Sequence, residues 1–134
     1  NIPHDRGCVA HSDGDVVYHS VTDAILGALG LEDIGQLFPD NDAKWKNADS
    51  RIFVEEAVRR MRAGGYTLGN MDITVILQRP KLSPHKALIK ANLALLLGCD
   101  ISQINIKGKT HEQVDAIGQG LAIGCHVVAL LMRV

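Results

Sequence analysis

Two β-rich runs separated by a helix-sized apolar segment constrain this chain most. Met71 to Gln78 holds consecutive β-branched residues, Ile73, Thr74, Val75 and Ile76, and reads as a strand. Ile104 to Lys107 reads as a second, shorter strand. Between them, Pro80 and Pro84 bracket a loop, and Pro84 to Leu97 reads as a helix closed by Gly98. That spacing is too long for a hairpin and suits a right-handed strand–helix–strand crossover. The class is therefore α/β, or α+β with helices on one face of a mixed sheet.

The remaining elements fit one domain spanning residues 1–134. Asp13 to Leu29 reads as a helix, with Ser12 and Asp15 resembling a capping box, Gly30 as the stop, and Val17, Val21, Ala24 and Ala28 at helical spacing. Asp49 to Ala63 reads as another, with Val54, Val58 and Met61 inward and Gly64-Gly65 ending it. A turn or short helix is expected around His111 to Asp115, and a long apolar strand from Leu121 to Met132. No repeat or dividing linker is evident.

Composition narrows the function classes. With 46% apolar residues and net charge −1, the chain is neither a disordered tail nor a typical nucleic-acid binder. Its 14 Lys and Arg against 15 Asp and Glu mean that any phosphate site is local. The apolar run Leu93 to Leu97 is far short of a membrane span. Cys8, Cys99 and Cys125 are odd in number and far apart, so a disulfide framework is not indicated and a reducing compartment is the default. The chain begins Asn1-Ile2-Pro3-His4, without an initiator Met, and reads as having lost its N-terminus.

Four segments could carry chemistry. His11-Ser12-Asp13-Gly14-Asp15 opens a helix, whose free N–H groups suit an anion. Asp15, His19 and Asp23 recur every four residues and share a stripe, from which His19 could ligate zinc with a carboxylate orienting its other nitrogen. The same pattern also suits a capped surface helix with a hydrogen-bonded histidine. Asp33 to Asp42, with Gly35 and Pro39, could accept hydrogen bonds from sugar hydroxyls or bind a hard cation, or be a solvated turn. Gln78-Arg79-Pro80-Lys81-Leu82-Ser83 follows a strand, where its backbone could read a base edge and Lys81 a phosphate, or it is an ordinary basic connection. Lys107-Gly108-Lys109-Thr110-His111-Glu112 resembles a phosphate cradle with Glu112 beside a divalent cation, or a charged turn. His126, inside an apolar run, suits a core or interface position, as do Cys99 and Cys125.

In order along the chain, Ala10-His11-Ser12-Asp13-Gly14-Asp15-Val16, His19, Thr22-Asp23-Ala24-Ile25-Leu26-Gly27, Asp33-Ile34-Gly35, Phe38-Pro39-Asp40, Pro80-Lys81 and Lys109-Thr110-His111-Glu112 resemble the 2-C-methyl-D-erythritol 2,4-cyclodiphosphate synthases of the non-mevalonate isoprenoid pathway. The resemblance implies a metal-dependent phosphorus–oxygen lyase. It implies a homotrimer about a threefold axis, with ferredoxin-like βαβ units and active sites between subunits. The implied reaction closes 4-diphosphocytidyl-2-C-methyl-D-erythritol 2-phosphate into the cyclodiphosphate and releases CMP. A CDP or CMP-binding module without chemistry, or a metal-dependent phosphohydrolase, are the alternatives.

The same resemblance implies residue roles. His19 matches a zinc ligand. His11 and Thr110 match transition-state stabilisers, with Ser12 beside His11 on the diphosphate. Glu112 matches the ligand of magnesium or manganese. Asp33, Ile34, Gly35, Phe38, Pro39, Asp40, Asn41 and Asp42 match the methylerythritol-facing loop. Leu77, Gln78, Arg79, Pro80, Lys81, Leu82 and Ser83 match the cytidine pocket, and Lys109 and His111 flank Thr110 on the phosphates. The family's other two zinc ligands lie in an Asp-x-His motif on an N-terminal strand, which is expected to be missing here. Some bacterial members carry Phe and Arg in place of Ala116 and Gln119, and often a Glu near the trimer axis in place of His126. An imidazole there suits an anion or a charge change near neutral pH. The segments from Leu77 and from Lys109 look closer to plastid members, implying a plastid stroma, with bacterial cytoplasm as the alternative.

Overall fold

A computed structural model describes residues 4–37, 50–76, 83–109 and 124–134, with the side chains of residues 4–13 and 83–85 outside the description. In chain order the elements are α1 (His4–Ala28), α2 (Ile34–Leu37), α3 (Ser50–Ala63), β1 (Tyr66–Ile76), α4 (Ser83–Leu97), a 3₁₀ turn (Ile101–Gln103), β2 (Ile104–Lys109) and β3 (Gly124–Arg133). The sheet order is β2-β1-β3. β1 runs parallel to β2 across α4, from Met71↔Ile104 to Ile76↔Lys109, as the crossover reading requires. β3 pairs antiparallel on the other side of β1.

Helical periodicity sets the inner face of the helices. On α1 the buried stripe is Val17, Tyr18, Val21, Thr22, Ile25 and Leu26. Ala24 and Ala28, also at helical spacing in the sequence, are half-buried and exposed, because the larger Ile25 and Leu26 take the core side. Buried Thr22 donates its hydroxyl to the Tyr18 carbonyl at 2.8 Å, so its polar atom is satisfied within the helix. α3 contributes Phe53, Val54, Ala57, Val58 and Met61.

Strand alternation supplies the other half of the core. Leu68, Met71, Ile73 and Val75 of β1 and Ile104 and Ile106 of β2 are buried. Leu68 and Met71 share a face although three residues apart, because the register shifts between Leu68 and Asn70. Gly69 sits at that irregularity, and a Cβ there would lie 3.0 Å from Met132 and 3.1 Å from the Leu130 carbonyl. On β3, Cys125, Val127, Ala129 and Leu131 pack on the core, while Val128 and Leu130 are 72% and 60% exposed.

Among the described residues, three features depart from the sequence reading by more than two residues. β1 starts at Tyr66, because the irregularity at Gly69 lets Thr67 and Leu68 stay paired with β3 and brings Leu68 onto the core face. Within the Asp33 to Asp42 loop that the sequence predicts, Ile34–Leu37 is helical. α1 extends back to His4, so Ser12 is not its N-cap. No residue from Asp5 to Gly14 lacks a backbone donor as proline does, so the hydrogen-bond ladder runs through. The expected turn at His111 to Asp115 lies outside the described residues.

The surface of α3 carries an acid-sensitive cluster. Glu56 accepts hydrogen bonds from Nε of Arg59 at 2.9 Å and Nε of Arg60 at 2.8 Å. The Arg59 guanidinium, then Arg60, holds its carboxyl down to about 2 against an ordinary 4.5, overcoming partial burial. A depressed folded value stabilises above the unfolded value and is lost as pH falls through the folded one. The stability gap between wild type and Glu56→Gln is therefore expected to be full above pH 4.5 and to close towards pH 2, as urea midpoints measured across that range will show.

Candidate functional site

The Asp15, His19, Asp23 stripe of α1 organises two neighbouring features. Ser50, the first residue of α3, is only 5% exposed. Its hydroxyl donates to Asp15 Oδ1 at 2.7 Å, and its Oγ lies 3.2 Å from His19 Nε2. The His19 ring also meets Phe53 edge-on, with centroids 5.6 Å apart and an interplanar angle of 74°. His19 is thus exposed yet held by two residues of α3. One turn on, Asp23 Oδ1 accepts the Ile34 backbone N–H at 2.8 Å. This ties the Asp33–Gly35 segment to the helix that carries His19.

Asp33 uses part of its carboxylate locally. Its Oδ1 accepts from the Gln36 backbone at 3.0 Å, capping α2. Within the Asp33 to Asp42 loop, Asp33 is therefore exposed yet tied to the local amides, while residues 38–42 lie outside the described residues. Asp23→Ala would leave the Ile34 N–H without that partner. It is expected to cost about 1 kcal/mol and to speed amide exchange at Ile34, measurable by hydrogen exchange.

The parallel pair sets the residues that lead into the other expected site segments side by side. Ile76 and Lys109 are register partners at the carboxyl ends of β1 and β2, and Gly124 of β3 pairs with Ile76 at the same end. The chain therefore leaves for Leu77 to Leu82 and for Thr110 to Glu112 from adjacent positions, at the sheet end where open α/β folds place ligands. Ser20, next to His19, hydrogen-bonds Cys125, the register partner of Val75. That contact brings the His19 turn of α1 towards the same end.

The other expected site residues divide as follows. Ser83 begins α4 and Lys109 ends β2, exposed. His11 and Ser12 lie within α1 with side chains outside the description. Phe38, Pro39, Asp40, Asn41, Asp42, Leu77, Gln78, Arg79, Pro80, Lys81, Leu82, Thr110, His111, Glu112, Ala116 and Gln119 lie outside the described residues. His126 is exposed on the outer face of β3, opposite Thr74. Burial pushes the Cys125 thiol up, opposed by the Ser20 hydrogen bond, and burial with nearby Asp100 pushes the Cys99 thiol up, so neither is primed as a nucleophile.

The donor chemistry at His19 fits zinc as one ligand, since an imidazole tied through one nitrogen still has a second to offer. Among the described residues no group of three or more His, Cys, Asp or Glu side chains converges on an ion, so further ligands would come from outside them. Ser50 was not singled out from the sequence. At the start of a helix it reads as a cap, and nothing in its spacing points to partners on α1.

Comparison with known proteins gives the family. The chain is 64% identical over 133 residues to the chloroplastic 2-C-methyl-D-erythritol 2,4-cyclodiphosphate synthase of Catharanthus roseus, covering 99% of this chain and 56% of that protein. It is 52% identical over 132 residues to the synthase of Cronobacter sakazakii, covering 98% of this chain and 83% of that protein. The chain spans little more than half the length of the plant relatives, 56% and 57% for those from Catharanthus and Arabidopsis. Among solved structures, IspF of Plasmodium falciparum in complex with CDP superposes with a TM-score of 0.78 at 44% identity, over 88% of this chain and 70% of that one. The bifunctional IspDF of Campylobacter jejuni gives 0.84 at 41% identity, over 89% and 32%. With the YgbB family model matching residues 1–132, the chain belongs to the YgbB family.

Proposed function

We propose that this chain forms the catalytic unit of a plastid cyclodiphosphate synthase. The reaction is intramolecular. A 2-phosphate oxygen of 4-diphosphocytidyl-2-C-methyl-D-erythritol 2-phosphate bonds to the β-phosphorus, the bond from that phosphorus to the bridging oxygen breaks, and CMP leaves with the electron pair. The observation that carries this reading is the similarity, over nearly the whole chain, to synthases and to structures holding CDP. The plastid setting rests on the chloroplastic relatives, and the bacterial ones keep the bacterial cytoplasm as alternative.

Because nucleophile and electrophile belong to one molecule, positioning supplies much of the rate. Asp33 to Asp42 would hold the methylerythritol, Leu77 to Ser83 with Lys81 the cytidine, and Lys109, His11, Ser12 and Thr110 the phosphate charge. His19 would hold zinc, and Glu112 magnesium or manganese. Either ion supplies Lewis-acid neutralisation of phosphate oxygens when bound. The homotrimer belongs to the same reading. The outward residues of edge strand β3, Val128, Leu130 and Met132, are 52–72% exposed, and an apolar row of that kind fits burial against further copies.

The test is product analysis with the full-length protein. Cyclodiphosphate and CMP in equal amounts support the proposal. CDP binding without CMP release supports a binding module, and a linear hydrolysis product supports a phosphohydrolase.

A further inference from the structure

The Ser50 hydroxyl has one proton, and two acceptors compete for it. Asp15 Oδ1 lies at 2.7 Å and His19 Nε2 at 3.2 Å. A carboxylate can only accept, and it is the stronger acceptor. Ser50 therefore spends its proton on Asp15. Its oxygen then faces His19 Nε2 with a lone pair, and two lone pairs do not attract. The contact is favourable only if Nε2 carries the hydrogen. In a neutral imidazole that leaves Nδ1 unprotonated, with its lone pair in the ring plane.

Burial makes this arrangement stringent. Ser50 is 5% exposed, so water is a poor substitute for either partner. Phe53, three residues on in α3, holds the ring edge-on and limits its rotation. Asp15 and His19 are one turn apart on α1, so the hydroxyl of α3 bridges two side chains of one helix face.

We propose that Ser50 is a positioning residue that holds His19 in its Nε2–H tautomer through the Asp15–Ser50–His19 relay, leaving Nδ1 as the ligand atom. The tautomer follows from the hydrogen bonds alone. Its use towards zinc rests on the functional reading above. Hydrogen bonds to the far nitrogen of a metal-bound imidazole fix ring orientation, and their loss weakens metal affinity about 10–100-fold.

Long-range proton–nitrogen correlation spectra of the metal-free, full-length protein test this directly, in alkaline buffer where imidazoles are neutral. The expected spectrum shows a pyrrole-like Nε2 and a pyridine-like Nδ1 for His19. Ser50→Ala is expected to give a tautomer mixture and about 10–100-fold weaker zinc binding by competition with a chelator. Ser50→Thr keeps the hydroxyl and is expected to restore both. A wild-type ring with hydrogen on Nδ1 overturns the proposal, as does Ser50→Ala with an unchanged single tautomer. If Ser50→Ala does not fold, the wild-type and Ser50→Thr spectra still decide. Wild type that takes up no zinc defeats the metal reading of His19, while the spectra separately judge the tautomer.

Discussion

His19→Ala is expected to leave the fold standing while removing zinc from the full-length protein and lowering CMP release by about three orders of magnitude. The first half follows from exposure. The His19 side chain is at the surface, and its loss removes the edge contact with Phe53 and one contact to Ser50, together worth about 1 kcal/mol. Ser50 keeps Asp15 as partner, so no buried hydroxyl is orphaned. The second half follows from the chemistry. Neutralising phosphate charge is worth several kcal/mol, and 4 kcal/mol is about a thousandfold in rate. Elemental analysis, circular dichroism and CMP release on the same preparation check all three. Retained zinc would show that His19 is not a ligand.

Leu26→Ala should do the reverse. Leu26 is fully buried on α1, facing the same core as Ile25, Val54 and Met61. Truncation removes apolar contact and leaves a cavity that two packed helices cannot readily close. The expected cost is about 3 kcal/mol, within the range for buried Leu→Ala changes. For a domain this size that corresponds to roughly 10 °C in Tm. Whatever variant remains folded at low temperature is expected to bind zinc with unchanged stoichiometry, since Leu26 lies about two turns along α1 from His19 and is buried in the core while His19 is exposed. Thermal unfolding and zinc content separate the two outcomes. A loss below 1 kcal/mol would mean that the core around α1 can relax.

The pair of variants also marks what was legible in the residues. Period and punctuation located α3, α4 and the parallel pair, because Gly64-Gly65, Pro84 and Gly98 are local signals that the packing does not override. The Asp15–His19–Asp23 stripe was legible because helix geometry is fixed. What each member of the stripe touches was not. Ser50 and Ile34 reach α1 through tertiary packing, and no local rule pairs them with it. The start of β1 was missed for a related reason. Thr67 to Asn70 carries one apolar residue, Leu68, beside a glycine and two polar residues, and it is strand because Leu130, Leu131 and Met132 pair with it. Helix α2 hides in an acidic loop until Asp33 is seen capping it and Asp23 anchoring it.

β3 closes the sheet against β1 from far along the chain, whereas β2 reaches β1 through a single helix. Loop closure costs more entropy for the distant strand, so its docking belongs late in the order of assembly. Until then β1 keeps an open edge, and unpaired edges are where chains misassociate during folding. α1 packs against β3 as well as α3. The helix made first therefore finds part of its cover in the strand made last, and a change confined to β3 will be felt in how reliably α1, with His19 on it, is seated.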